Sequence, residues 1–490
     1  MANSFYFYDL ETSGINPRES RIMQFAGQRT DLDLNPIGEP HNILIALSDD
    51  ILPDPDAILI TGITPQHTVA EGTTEADFLK TFEEEIATQG TIFVGYNTIR
   101  FDDEFMRYTM YRNMYDPYTW QWKDDRSRWD LLDVVRMTRA LRPEGITWPV
   151  DGAGKPTNRL ELLTAQNGLD HAHAHDALSD VNATIDLAKL LRSHQPKLFD
   201  YLLSIRDKKS VKELVESGKP FVYCSGKYAN EYQKTAVVIR LADHPQKSGA
   251  LVYDLRFDPT EFQAMEIDQL VDAWRWQPPE DRREDAPRLP IKTLQFNRCP
   301  AVAPLAVLDP DSQSRLQIDI DMIQANRDKL AGDADFSKKV LGALAILDAE
   351  QQKRFAEEPK TVDAQLYDGF MSDKDHSLMQ DIRSAKPDDI GSYAEKCHDQ
   401  RLKKLVPLYK ARNYPRKLTI DERRVWETHR ADYLMAGGAE SRLAKYFERI
   451  KTLSAKPDLT DTQKFLLEDL TLYGQSIVPS DISEETESVE

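Results

Sequence analysis

The sequence predicts an α/β domain, then a smaller β-rich domain with appended helices, then an α-helical C-terminal domain. Three observations predict this. Strand-like and helix-like stretches alternate from 1 to about 195, paired short strands dominate the next part, and helical periodicity takes over from about 355. The expected boundaries are 1–195, 196–352 and 353–478, with an acidic tail at 479–490.

Each element has its own signal. FYFYDLE (5–11), NILIAL (42–47) and TIFVGYN (91–97) are apolar or aromatic runs of strand length. FLKTFEEEIAT (78–88) has helical spacing, and 177–194 carries Val181, Ile185, Ala188 and Leu191 on one stripe. Alternating strands and helices make an α/β domain. KTAVVIRLA (234–242) and GALVYDLRF (249–257) read as strands joined by a turn at His244-Pro245. A Pro-rich charged loop (274–290) precedes a third strand at 290–302, and helices follow over 319–355. Amphipathic spacing returns at YFERIKTLSA and at 460–477, and no repeat of 20–50 residues is present.

A length of 490 residues with 40% hydrophobic content supports several real cores. Cys224, Cys299 and Cys397 lie far apart without metal spacing, which reads as reduced thiols. There is no basic leader and no run of 18 apolar residues, so the expectation is a soluble, cytoplasmic protein without a membrane partner. A net charge of −20 argues against nucleic acid when taken alone. Distribution matters more: the tail 480–490 holds five acids and no base, whereas 401–424 holds nine Lys/Arg against two acids. That stripe, with Tyr409 and Tyr414, reads either as an open basic wall for an anionic partner or as a solvated basic helix.

Residues i and i+2 of a strand point the same way, so Asp9 and Glu11 share a face. Two carboxylates held together repel unless a cation lies between them. The bland alternative is an edge strand with solvent-facing acids. Two further clusters weigh against it. Asp102, Asp103 and Glu104 follow an apolar strand, and His175 stands five residues before Asp180 at a helix entry. Strand ends and helix starts are where α/β domains build sites. Hard oxygens without Cys select Mg²⁺ or Mn²⁺, and four carboxylates can hold two such ions for phosphoryl displacement. A nearby histidine can take a proton from the attacking water. His171 and His173 read as a His-rich surface loop or a softer metal site.

D-x-E, a second Asp and H-x-x-x-x-D together resemble the DEDDh exonuclease superfamily, whose sibling class has Tyr-x-x-x-Asp in the third motif. YDLETSG, ITGITPQ (60–66), GYNTIRFDDEF (95–105), MYRNMYDPYTW (110–120), RWDLLDVVR (128–136), ALRPEGITWP (140–149) and DAQLYDGFMSD (363–373) extend the likeness. Together they resemble the bacterial exodeoxyribonuclease I family over residues up to about 475. The resemblance implies an RNase H-like DEDDh domain, an SH3-like β domain and a C-terminal helical domain, forming a C-shaped clamp on single-stranded DNA. It implies processive 3′-to-5′ hydrolysis of single-stranded DNA to nucleoside 5′-monophosphates, in DNA repair and recombination.

By the same resemblance, Asp9, Glu11, Asp102 and Asp180 correspond to ligands of two Mg²⁺ ions, with Mn²⁺ able to substitute. Asp103 is the rival for the second motif. His175 corresponds to the general base, and Glu11 and Arg159 to residues that meet substrate. The resemblance also implies a monomer whose protein partner is single-stranded DNA-binding protein, held through that partner's acidic, apolar C-terminal tail.

The stretch 107–129 interleaves seven Tyr/Trp with five Arg/Lys. Aromatics stack on unpaired bases while cations track phosphates; the alternative is an aromatic core helix with a charged face. Arg107, Tyr118, Trp122 and Arg136 match the family's DNA-contact positions. Arg298 sits where relatives have a DNA-facing strand, and Tyr367 opens the helical domain. Two rivals stay open: a DEDDh exonuclease that trims RNA 3′ ends, and an inactive single-strand-binding clamp.

Overall fold

The computed structural model describes residues 3–169, 176–278, 286–357 and 360–479. Its first part is a five-stranded mixed sheet, ordered β3-β2-β1-β4-β5. The strands are β1 (Ser4–Thr12), β2 (Ile22–Thr30), β3 (His41–Leu44), β4 (Thr91–Gly95) and β5 (Ser127–Asp130). β1 pairs antiparallel with β2 and parallel with β4, so it is the central strand. The edge-strand alternative for Asp9 and Glu11 therefore does not hold. Helices α1 (Pro55–Thr61), α2 (Pro65–Glu71), α3 (Glu75–Thr81), α4 (Asp102–Arg112), α5 (Leu131–Leu141), α6 (Leu160–Gln166) and α7 (Ala177–His194) flank the sheet.

The alternation along β1 assigns its two faces. Phe5 and Phe7 join a core with Val94, Val134, Val181 and Leu187 from β4, α5 and α7. Tyr6, Tyr8 and Leu10 join Phe25, Phe78, Phe93, Phe105 and Trp120 on the other side. Both faces are covered, which is why the strand reads as a continuous aromatic run. The predicted helix at 78–88 ends its α-helical part at Thr81 and continues as a π-helical turn, Phe82–Ile86. The helix at 177–194 matches its expected span.

After α8 (Pro196–Ser204) and α9 (Lys208–Val215) comes a second five-stranded sheet, ordered β10-β6-β7-β8-β9. Its strands are β6 (Phe221–Cys224), β7 (Thr235–Asp243), β8 (Gly249–Asp254), β9 (Ile291–Gln295) and β10 (Val302–Pro304), all paired antiparallel. The single strand expected at 290–302 is two strands. Phe296–Arg298 makes a 3-10 turn and Cys299 has φ 44°, and the two pieces take opposite edges of the sheet. β6 escaped sequence reading because its four residues are buried on both faces and show no alternation. α10 (Thr260–Ala264), α11 (Ile267–Trp274), α12 (Pro310–Arg315), α13 (Ile320–Leu330) and α14 (Ala334–Glu357) pack around it.

The C-terminal part is helical: α15 (Asp373–Ser384), α16 (Gln400–Asn413), α17 (Ile420–Met435), α18 (Arg442–Ser454) and α19 (Asp461–Ser476). Its apolar faces close on the first sheet's helices. Tyr108, Tyr111 and Met114 share a core with Leu366, Leu402 and Leu405, and Met23 and Ile58 share one with Ile450 and Leu467. Among the described residues no helix is long and apolar enough to cross a membrane.

Candidate active site

Backbone pairing between β1 and β4 runs only from Ser4 to Phe7. Asp9 and Glu11 lie beyond it, at the carboxyl end of the parallel pair. They follow Phe5 and Phe7 on the face that α7 covers. α7 begins there because Asp176 caps it, accepting from the Ser179 N–H at 3.1 Å. Asp180 sits in the first turn, and carboxylate oxygens of Asp9, Glu11 and Asp180 lie within 4.8 Å of one another. Asp102 enters from the other side, as the first residue of α4 after the loop that leaves β4.

Crowding and burial govern the charge. Burial, then the charge of Asp180, holds the Asp9 carboxyl well above the usual range. Burial, then Asp9 and Asp180, pushes Glu11 up to about 9. Burial, then Asp9, raises Asp102. Such a group is stable either with protons or with a cation between its oxygens. An all-carboxylate donor set fits a hard divalent metal ion.

The neighbouring Asp103 has different work. It accepts from the Tyr8 hydroxyl at 2.6 Å and forms a buried ion pair with Arg128. Arg128 also donates to the Asn297 carbonyl at 2.7 Å, tying the β-rich domain to the same point. Asp130 holds the loop that delivers Asp102: its carboxylate accepts from the N–H groups of Asn97 (2.9 Å) and Leu132 (3.0 Å).

Four of the residues matched to DNA contacts gather around Glu104. Arg107 donates to Glu104 at 2.7 Å and lies over the Tyr118 ring at 5.8 Å. Arg298 donates to the same carboxylate at 3.2 Å, and the Tyr367 hydroxyl donates to it at 2.5 Å. Trp122 stands apart with 64% of its surface exposed. Arg136 pairs with Asp133 at 2.6 Å and lies against Gly226 in the turn that follows β6. Arg159 is exposed and paired with Glu161. In the same aromatic stretch Tyr108, Tyr111, Trp120 and Trp129 are buried core residues.

His175, His171, His173 and the acidic tail from 480 lie outside the described residues. The basic stripe at 401–424 does not form an open wall as a whole. Arg401 pairs with Asp399, Lys410 with Glu422, and Arg412 with Asp50 and Asp363.

Sequence reading missed Asp176, Gln24 and the role of Glu104. Asp176 adds its charge to Asp9 and Glu11, and its N-cap position before 177 was the available signal. Gln24 stands opposite Glu11 in the β1–β2 register and donates to Asn42 at 2.9 Å. Nothing in the sequence marks it. A cleft of about 490 Å³ opens beside these residues, walled by Gln24, Asn42, Thr61, His67 and Asp176.

The chain matches three family descriptions: "Exonuclease" over 6–188, "Exonuclease I SH3-like domain" over 206–345 and "Exonuclease I C-terminal domain" over 360–477. It is 40% identical over 431 residues to exodeoxyribonuclease I of Escherichia coli, covering 87% of this chain and 89% of that protein. It is 39% identical over 440 residues to that of Haemophilus influenzae, covering 89% and 92%. The fold superposes on E. coli exonuclease I in complex with a dA16 oligonucleotide (TM-score 0.89, 38% identity, 97% of this chain and 100% of that one). It also superposes on a zinc-bound E. coli exonuclease I–single-stranded DNA complex (0.89, 37%, 98% and 100%) and on an SSB/exonuclease I structure with the inhibitor CFAM (0.86, 36%, 98% and 100%). Carboxylates, sheet and both accessory domains thus agree with one assignment: the chain belongs to the exodeoxyribonuclease I family.

Proposed function

We propose that this chain hydrolyses single-stranded DNA from the 3′ end, releasing nucleoside 5′-monophosphates. The observation that carries the reading is the convergence of Asp9, Glu11 and Asp180, with Asp102 close enough to Asp9 to raise its carboxyl. Asp9, Glu11, Asp102 and Asp180 hold two Mg²⁺ ions, with Mn²⁺ as a substitute. When bound, the ions supply Lewis acidity to the attacked phosphate and the departing 3′ oxygen. His175 takes a proton from the attacking water. Glu11 and Arg159 orient the terminal nucleotide, and the 490 Å³ cleft beside Asp176 is of a size to receive it.

Arg107, Tyr118, Arg298 and Tyr367 meet the incoming strand around Glu104. Trp122 offers a stacking face, and Arg136 a phosphate contact, where the second sheet meets α5. The domains follow the boundaries near 195 and 352. The family likeness also supports work in the bacterial cytoplasm, in DNA repair, with single-stranded DNA-binding protein as partner through its C-terminal tail.

The test uses 3′- and 5′-labelled single-stranded DNA, matched RNA and duplex DNA with Mg²⁺. Mononucleotides from the 3′ end of single-stranded DNA alone are expected. Equal digestion of RNA would move the reading to a general 3′ trimmer, and tight binding without cleavage would leave only a clamp.

A further inference from the structure

Two arginines and two aspartates are buried at the seam between the first domain and the helical domain. Arg412 on α16 makes a bidentate contact with Asp363, at 3.0 and 2.8 Å, and reaches Asp50 at 2.7 Å. Arg21, just before β2, donates to the same Asp363 at 2.7 Å. Ser48 donates to the other oxygen of Asp50 at 2.6 Å. Asp50 is wholly buried, and the side chains of Arg21, Asp363 and Arg412 are each exposed by no more than 8%.

Other ion pairs cross this seam at the surface, such as Arg449–Asp56 at 2.6 Å and Arg442–Glu19 at 2.7 Å. Exposed pairs contribute little. A buried cluster is different: losing one member strands the others without water, whereas well-packed apolar residues could have filled the space. Apolar packing is also non-directional. A planar guanidinium bonded to carboxylates from two domains fixes their relative placement.

What the cluster fixes is specific. Asp363 lies four residues before Tyr367, which reaches Glu104 and Arg107. The segment between is pinned from both sides: Tyr111 donates to the Val362 carbonyl at 3.1 Å, and Arg401 to the Gln365 and Gly369 carbonyls at 3.0 and 2.9 Å.

We propose that the Arg21–Asp363–Arg412–Asp50 cluster is the latch that seats the helical domain on the nuclease domain, with Arg412 a positioning residue that sets how many nucleotides leave per encounter. This rests on the single-stranded DNA reading above. The cluster also has a competing role. The Arg21 N–H donates to the Ser13 hydroxyl at 2.8 Å, two residues past Glu11, so the cluster could instead support the metal site.

The experiment separates these. Run length is measured on long 5′-labelled single-stranded DNA with excess unlabelled DNA as trap. Hydrolysis of the p-nitrophenyl ester of thymidine 5′-monophosphate, which needs no clamp, is measured beside it. Arg412→Met deprives buried Asp50 of its arginine and leaves Asp363 with Arg21 alone, so Arg412→Lys, which keeps the charge but not the fork, is run with it; thermal unfolding checks folding, and Arg449→Met is the surface control. Expected for the folded Arg412 variants is a roughly tenfold shorter run, equivalent to about 1.4 kcal/mol of strand retention. The ester rate should stay at wild type and Arg449→Met should be unchanged. If Arg412→Met does not fold, Arg412→Lys decides. Unchanged run length in a folded Arg412 variant, a parallel fall in ester hydrolysis, or an equal effect of Arg449→Met overturns the latch. A wild-type protein that digests no single-stranded DNA overturns the function reading itself, before any variant is compared.

Discussion

Glu11 and its neighbours make the metal-free protein sensitive to alkali. Between the ordinary 4.5 of a glutamate and about 9, the native Glu11 keeps a proton that the unfolded chain has lost. The native state therefore binds more protons, and stability falls as pH rises across that window. Asp9 and Asp102 shift the same way. A bound divalent cation takes the place of the protons. The expected result is a melting temperature that drops between pH 5 and 9 in chelator and is flattened by Mg²⁺, read by thermal unfolding. The adjacent acids should separate as well. Asp102→Asn is expected to remove activity with little loss of stability. Asp103→Asn is expected to cost about 3–5 kcal/mol, because it leaves Arg128 buried without its charge partner. Denaturant unfolding and nuclease assays on both variants check this. The shared face of Asp9 and Glu11 was legible from a two-residue spacing. The choice between Asp102 and Asp103 was not legible from spacing, because Tyr8 and Arg128, which engage Asp103, are distant in sequence.

At the scale of elements, the site depends on how β4 hands the chain to α4. A Cβ on Gly95 would stand 2.9 Å from the Tyr8 carbonyl oxygen and clash with Thr98. Gly95→Ala is therefore expected to destabilise by about 1–3 kcal/mol and to lower the nuclease rate by displacing Asp102. On α4, Arg107→Ala should weaken single-stranded DNA binding similarly for all sequences and reduce the slope of log affinity against log salt by about 0.7. Fluorescence titrations at several salt concentrations measure both. α7 was legible to the residue from its apolar stripe alone, and the structure adds the Asp176 cap that fixes its start. The 401–424 stripe misled because sequence displays a helix's charges but not the acids that meet them. Asp50 and Asp363, from outside the stripe, and Glu422, from its next helix, turn Lys410 and Arg412 inward.

Over the whole molecule, apolar cores run across the domain seams, so the parts should not melt independently. Leu467 of α19 packs with Met23 and Ile58 of the first domain. Leu467→Ala is expected to cost about 2–5 kcal/mol and to lower the transition seen by probes in both domains together. Separate transitions in circular dichroism and tryptophan fluorescence would contradict that. The three-part order was legible from composition and periodicity. The seams were not, because an amphipathic helix declares that a face is buried but not against what. The net charge of −20 was equally silent about the cationic and aromatic groups gathered around Glu104.

The most direct test of the account is metal-dependent release of 3′-terminal mononucleotide by wild type and Asp180→Ala, titrated with Mg²⁺ and Mn²⁺ and with direct calorimetric measurement of ion binding. Saturable ion binding and activity are expected in the wild type, both lost in chelator, with a variant that still binds DNA but neither holds the ions nor cuts. Unimpaired cleavage by Asp180→Ala, or cleavage by the wild type in chelator, would contradict the assignment of these carboxylates as the metal-holding centre.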